Sequence, residues 1–140
     1  LHPGSGSQHK NWPEQGWSEL LQELIHSTNL NFLLVGGEAE GERLERLAVP
    51  LPGSRIRIAR SLPLTELAKQ LESCTAFIGH DSGISHLAVA IGLPALILWG
   101  KSAEDVWRPR GQKVTIIRNA DGLATLATEC VANALKEIIG

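Results

Sequence analysis

Between Phe77 and Ala88 an apolar run ends at the polar turn His80-Asp81-Ser82-Gly83, and an apolar helical pattern begins directly after it. Those letters describe a strand feeding a helix through an anion-ready turn. The first turn of a helix carries backbone N–H groups without intrahelical partners and the positive end of the helix dipole. Ser82, Ser85 and His86 add side-chain donors beside them. Such a set suits the binding of a phosphate-bearing ligand. A second loop of the same kind opens the chain, where Leu1-His2-Pro3-Gly4-Ser5-Gly6-Ser7 runs into Lys10 and then Trp12-Pro13 before another helical pattern. Two such loops in one chain imply one shared ligand.

Residue types within the loops divide the work. Gly4-Ser5-Gly6-Ser7 supplies backbone that approaches a ligand closely, but Gly-x-Gly-x-x-His lacks the third glycine of the dinucleotide fingerprint, so NAD is a weak reading. Asp81 and Ser82 are N-cap types, and capping alone accounts for them at about 1 kcal/mol. An ionised Asp81 beside a diphosphate would be repelled. Phosphate contact therefore falls to the backbone at Ser82 and Gly83, and Asp81 is left for turn geometry or a sugar. His86, one helical turn after Ser82, is either a core-facing histidine or a donor to phosphate or sugar, and its neighbours favour the second. His80 is a weaker candidate for the same role. Glu38 follows Val35-Gly36-Gly37 at a strand end, where carboxylates accept from ribose hydroxyls in nucleotide-binding folds. The competing reading is first-turn dipole stabilisation, which Glu40 supplies equally well. Trp12 and Trp17 can stack on a base, though packing is the commoner role of tryptophan.

Other chemistries fit the same letters poorly. A nucleophile elbow needs serine at the centre of Gly-x-Ser-x-Gly, and Gly79-His80-Asp81-Ser82-Gly83 has Asp81 there. Gly100-Lys101-Ser102 mimics the end of a P-loop, yet the first glycine of that motif would fall on Ala95, inside a strand. His80 and His86 lie across a turn without the one-face spacing or cysteine pairs of a zinc site, so no metal is expected.

Composition narrows the class further. With 140 residues and 43% hydrophobic content the chain can bury a core of its own. A formal charge of −2 provides no basic field for nucleic acid and no polybasic membrane patch. Any anion must be bound locally. Cys74 and Cys130 stand far apart without metal spacing and read as small apolar fillers.

Positioning the two loops requires alternating strands and helices. Apolar, β-rich runs at Phe32–Val35, Ile56–Ala59, Ala76–Gly79, Ala95–Trp99 and Val114–Ile117 read as strands buried on both faces. Helical patterns lie at Pro13–His26, Glu38–Leu47, Pro63–Ser73, Ser82–Ile91 and Leu123–Ile139. Pro13 and Pro63 suit first turns, and Gly92-Leu93-Pro94 stops a helix before the next strand. The expected architecture is a parallel sheet between helices, with ligands outside the carboxyl ends of its strands.

Taken together, His2-Pro3-Gly4-Ser5-Gly6-Ser7 with Lys10-Asn11-Trp12-Pro13, Val35-Gly36-Gly37-Glu38, and His80-Asp81-Ser82-Gly83-Ile84-Ser85-His86 resemble the lipopolysaccharide heptosyltransferase family, glycosyltransferase family 9. The resemblance covers essentially the whole chain, but only the family's C-terminal, donor-binding half. It implies an α/β fold, a Rossmann-like parallel sheet flanked by helices on both faces, forming the C-terminal half of a GT-B glycosyltransferase. Residues 1–140 would form a single donor-binding domain, with the N-terminal acceptor domain absent. The implied activity is transfer of a sugar, with inversion, from a nucleotide-diphosphate sugar to a cell-envelope glycan or lipid acceptor. An ADP-sugar is the favoured donor and no cofactor is needed.

The implied donor-binding residues are Ser5, Gly6, Ser7, Lys10, Glu38, Asp81, Ser82, Gly83 and His86, with Lys10 on the diphosphate. The catalytic base is expected from the missing half, so the isolated chain should be inactive. Having no methionine and opening on what reads as a strand end, the sequence is expected to be a fragment. No apolar run reaches membrane-spanning length, and the implied location is the bacterial cytoplasm, with the full-length protein free to associate peripherally with the inner membrane. Two alternatives stand beside this reading: a GT-B-shaped nucleotide-sugar epimerase, and a non-catalytic nucleotide-binding module.

Overall fold

A computed structural model describes residues 1–5, 7–101 and 103–140. Five apolar runs form strands: β1 (Phe32–Gly36), β2 (Ile56–Arg60), β3 (Phe77–His80), β4 (Ala95–Trp99) and β5 (Val114–Arg118). β1 and β2 pair in parallel, with Phe32 opposite Ile56 and Gly36 opposite Arg60. β3, β4 and β5 form a second parallel ladder in that order.

The backbone of Leu1 and His2 bridges the two ladders. The Leu1 nitrogen donates to the Leu33 carbonyl at 2.7 Å, and the Leu1 carbonyl accepts from Val35 N–H at 2.8 Å. His2 N–H then donates to the Ile78 carbonyl at 2.9 Å. The spatial order is therefore β2, β1, Leu1–His2, β3, β4, β5. Successive strands move outward in one direction to β2 and in the other from β3 to β5. The order reverses at Leu1–His2, the switch point where doubly wound sheets open a crevice.

Side chains alternate across the strands, and each face has its helices. On one face Leu34, Ile78, Leu96 and Leu98 pack against α1 (Glu14–Ser27), α2 (Gly41–Ala48) and α6 (Thr128–Ile139). On the other, Val35, Phe77, Ile97 and Trp99 meet α3 (Leu64–Glu72) and α4 (Gly83–Ala90). Only the central strands are fully enclosed: β3 and β4 are buried throughout, whereas β2 exposes Arg57, Ile58 and Arg60, and β5 exposes Thr115 and Arg118. The expectation of burial on both faces therefore fails at the two edge strands, which charged side chains keep from further pairing.

Helix ends follow local chemistry. Pro13 and Pro63 are the residues immediately before α1 and α3, and Ser82 caps α4, its Oγ accepting from Ser85 N–H at 3.4 Å. The expected helix Glu38–Leu47 starts instead as a 3-10 turn, Glu38–Glu40, before α2. The expected helix Leu123–Ile139 is likewise divided into a 3-10 turn, Leu123–Thr125, and α6, because the Leu126 carbonyl between them turns to accept from Trp12 Nε1 at 3.0 Å. One short helix, α5 (Glu104–Trp107), was not expected from the pattern.

α4 ends in a Schellman arrangement, with Gly92 N–H donating to Val89 and Leu93 N–H to Ala88. Gly92 has φ +90°, and a Cβ there would meet nothing within 4 Å. The Gly92→Ala variant should therefore lose about 1–2 kcal/mol from backbone strain alone. Urea unfolding measures this; an unchanged midpoint would exclude the positive φ.

Candidate functional site

Both polar loops emerge at the carboxyl ends of the bridging segment and β3, on either side of the switch point. The first continues from His2 through Ser5, a 3-10 turn at Gln8–Lys10, and Asn11 to α1. Its turn is held internally, since Ser5 Oγ lies 2.7 Å from both the Ser7 carbonyl and Asn11 Oδ1 and accepts from Ser7 N–H at 3.2 Å. The second loop is Asp81-Ser82, leading into α4. Lys10 Nζ donates to Asp81 Oδ2 at 3.0 Å and closes the gap between them. The side chain of Lys10 is 44% exposed and that of Asp81 12%, so the ammonium faces the crevice mouth with a partly desolvated counter-ion behind it. The pairing that sequence reasoning kept apart, a cation for phosphate and a carboxylate in the turn, is thus one contact.

Beneath this pair lie two buried histidines. His80, the last residue of β3, accepts from Trp12 N–H at Nε2, at 2.8 Å, and its Nδ1 lies 3.2 Å from the Gly4 carbonyl. A neutral ring that accepts at Nε2 carries its proton on Nδ1, so it donates to Gly4. The edge of Trp17 packs on the same ring, with centroids 5.3 Å apart. Burial pushes the His80 pKa down to about 4, against a smaller upward effect of the Gly4 bond. His2, with Nδ1 3.3 Å from Ser82 Oγ, is pushed down to about 3 by burial and then by His80 and the terminal amine. Ser85 Oγ completes the layer by donating to the His80 carbonyl.

The remaining candidates sit around this centre. Gly83 begins α4 in open surroundings, and a Cβ there would meet nothing within 4 Å. His86 is exposed, and its Nε2 lies 3.0 Å from the Trp107 carbonyl, tying α4 to α5. Nε2 therefore donates to that carbonyl, which leaves Nδ1 of a neutral ring as an acceptor for a hydroxyl rather than a donor to phosphate. Glu38 is exposed at the end of β1. Glu40 turns inward instead: its Oε2 accepts from Gly37 N–H at 2.8 Å, and its side chain occupies the space that a Cβ on Gly4 would take. Gly6 lies outside the described residues.

Sequence reasoning overlooked Glu40 as a neighbour of the first loop, Arg43, whose Nη1 donates to the Pro3 carbonyl at 3.3 Å, and the two histidines. The signal for His80 was parity: it shares the face of Ile78, which α1 covers with Trp12 and Trp17. Trp12 and Trp17 are fully buried there, which settles them as packing residues. A cavity of about 540 Å³ lies at the opposite, amino ends of β1 and β3, lined by Phe32, Leu33, Cys74 and Phe77. It is lined by none of the loop residues, which meet instead at the open crevice.

A parallel sheet flanked by helices, with two polar loops meeting at its switch point, defines a Rossmann-like domain. The chain belongs to glycosyltransferase family 9 (heptosyltransferase), whose profile matches residues 1–136. It is 30% identical over 118 residues to lipooligosaccharide heptosyltransferase 2 of Haemophilus influenzae, covering 81% of this chain and 34% of that protein. Against lipopolysaccharide heptosyltransferase 1 of Pseudomonas aeruginosa it is 36% identical over 91 residues, 65% of this chain and 25% of the other. The solved structure of E. coli heptosyltransferase WaaC with ADP superimposes with a TM-score of 0.88 at 25% identity, over 97% of this chain and 42% of that one. The fold corresponds to the C-terminal half of these GT-B enzymes. The chain thus spans about a third and about a quarter of the length of these two curated relatives.

The buried neutral histidines make stability pH-dependent. Unfolded, both titrate near 6.5, so below that value the unfolded chain takes up protons that the folded one refuses. The histidine contribution is present above about pH 6.5 and falls as the pH drops toward the folded values. From pH 6.5 to 5.5 each histidine should remove about 1 kcal/mol, so His80→Gln should lose about 1 kcal/mol less than the wild type. Unfolding free energies in urea at the two pH values check this, and equal losses in both proteins would refute it.

Proposed function

We propose that this chain is the donor-binding domain of a heptosyltransferase-like enzyme that transfers a sugar from a nucleotide-diphosphate sugar to a cell-envelope glycan or lipid acceptor. The observation that carries the reading is the Lys10–Asp81 contact, which brings the two anion-ready loops together at the switch point. The ADP in the WaaC structure supports an ADP-sugar as the donor. On this reading the diphosphate enters the crevice, Lys10 turns from Asp81 to phosphate oxygens, and the first-turn N–H groups of α4 at Gly83 point at the same charge. Ser82, Ser5, Ser7 and the glycine backbone between them line the approach. The ribose lies at the end of β1, by Glu38 and Glu40, and the sugar reaches Asp81 and His86.

Catalysis from this side is electrostatic. As the bond to the glycosidic carbon breaks, negative charge builds on the leaving nucleoside diphosphate, and Lys10 with the α4 amino end stabilises it. The base that activates the acceptor belongs to an N-terminal acceptor domain outside this chain, and attack from that side inverts the anomeric centre. No metal or further cofactor enters the reading. The full-length enzyme would work in the bacterial cytoplasm, at the inner face of the inner membrane; among the described residues no helix is long and apolar enough to cross a membrane.

Two outcomes follow. Lys10→Ala removes a charge-assisted contact worth about 1.5–3 kcal/mol, so calorimetry should show ADP binding weakened by roughly ten- to a hundredfold with the fold intact. An unchanged Kd would overturn the assignment of Lys10. The purified chain should also bind ADP without transferring sugar from an ADP-sugar to any acceptor. Robust turnover would contradict the division of labour, and conversion of the free nucleotide-sugar without acceptor would favour an epimerase.

A further inference from the structure

The loop that carries Ser5, Ser7 and Lys10 is held at both of its ends by one side chain of the sheet. His80 is 0% exposed and touches Trp12 N–H with Nε2 and the Gly4 carbonyl with Nδ1, the two anchors lying just outside Ser5 and Lys10. Only one neutral tautomer serves both bonds. Trp17 packs against the same ring in a T-shaped contact. Through its own carbonyl, which accepts from Ser85 Oγ, the same residue also fixes the first turn of α4. The Arg43 bond to Pro3 attaches the loop only upstream of both anchors.

We infer that His80 is the positioning residue of the donor crevice: it makes no contact with the donor and sets the spacing between the Lys10 loop and the amino end of α4. The inference rests on the proposed function for its ligand, but its core, the double anchor, is a property of the free protein. A residue with one polar end could hold one loop end and leave the other to swing. Histidine places a donor and an acceptor on opposite sides of a rigid ring, which spans the distance from Gly4 to Trp12 without a rotatable bond between its two contacts.

Three variants separate the roles of the two nitrogens. His80→Leu keeps volume and loses both bonds. His80→Asn keeps a donor for Gly4 and loses the acceptor for Trp12. His80→Gln reaches Trp12 N–H with its side-chain oxygen and gives up the bond to Gly4, the anchor farther along the chain from Lys10. ADP titration of the 140-residue chain should show affinity reduced by about tenfold or more in His80→Leu and His80→Asn, and by less than about threefold in His80→Gln. In a Lys10→Ala background His80→Leu should cost little more, because it acts through Lys10. Wild-type affinity in His80→Leu, or an undiminished loss in the Lys10→Ala background, would overturn the inference. If His80→Leu fails to fold, the contrast between Asn and Gln decides. Should the wild type bind no ADP, the proposed function fails, and the anchor is judged without ligand. Trp12 amide exchange should then rise by at least about tenfold in His80→Asn relative to His80→Gln, and equal rates would overturn it.

Discussion

The structure turns on the backbone of two residues. Leu1 pairs with β1 and His2 with β3, and without those hydrogen bonds the two ladders would be separate sheets with unpaired inner edges. Because the chain winds outward in opposite directions from this seam, the connections after Leu1–His2 and after β3 leave on opposite faces and open a crevice between them. Every candidate ligand contact follows from that seam: the first loop leaves it at Pro3, the second leaves β3 beside it at Asp81, and Lys10 spans the gap.

Electrostatics at the crevice is local by necessity. A chain with net charge −2 has no long-range field to draw an anion. What the crevice offers is local: the Lys10 ammonium, paired with Asp81, and the partial charge at the start of α4. The layer below contributes no positive charge, since burial keeps His2 and His80 neutral. A neutral His80 does what a charged one would not: it accepts and donates at once, and so holds loop backbone at both ring edges. The cost is sensitivity to acid, because protonating either ring would place a buried charge, and at His80 it would also turn Nε2 from an acceptor into a donor facing Trp12 N–H.

Much of this was legible in the letters. The strand positions hold to within a residue or two because near-continuous apolar runs bounded by glycine and proline have few other uses, and Ser82 caps α4 as its type suggests. The family motifs put Lys10, Asp81 and Ser82 in one group, and the structure brings their two loops into contact through Lys10 and Asp81. What the letters hid depends on long-range contact. The break at Leu126 exists because Trp12, at the other end of the chain, takes its carbonyl. Edge exposure of β2 and β5 is set by sheet order, which no single run encodes. Glu38 and Glu40 are indistinguishable as types, and only the 3-10 turn, which rotates Glu40 toward Gly4, separates them. His80 reads as an ordinary turn residue until its parity with Ile78 places it under α1.

The most direct measurement of the central claim is a crystal structure of the chain grown with ADP. The account predicts the diphosphate in the crevice, with Lys10 drawn off Asp81 onto phosphate oxygens, the α4 amino end facing the same group, and the His80 bonds to Gly4 and Trp12 unchanged. A nucleotide in the cavity at the amino ends of β1 and β3, or one that leaves the Lys10–Asp81 contact intact, would contradict it.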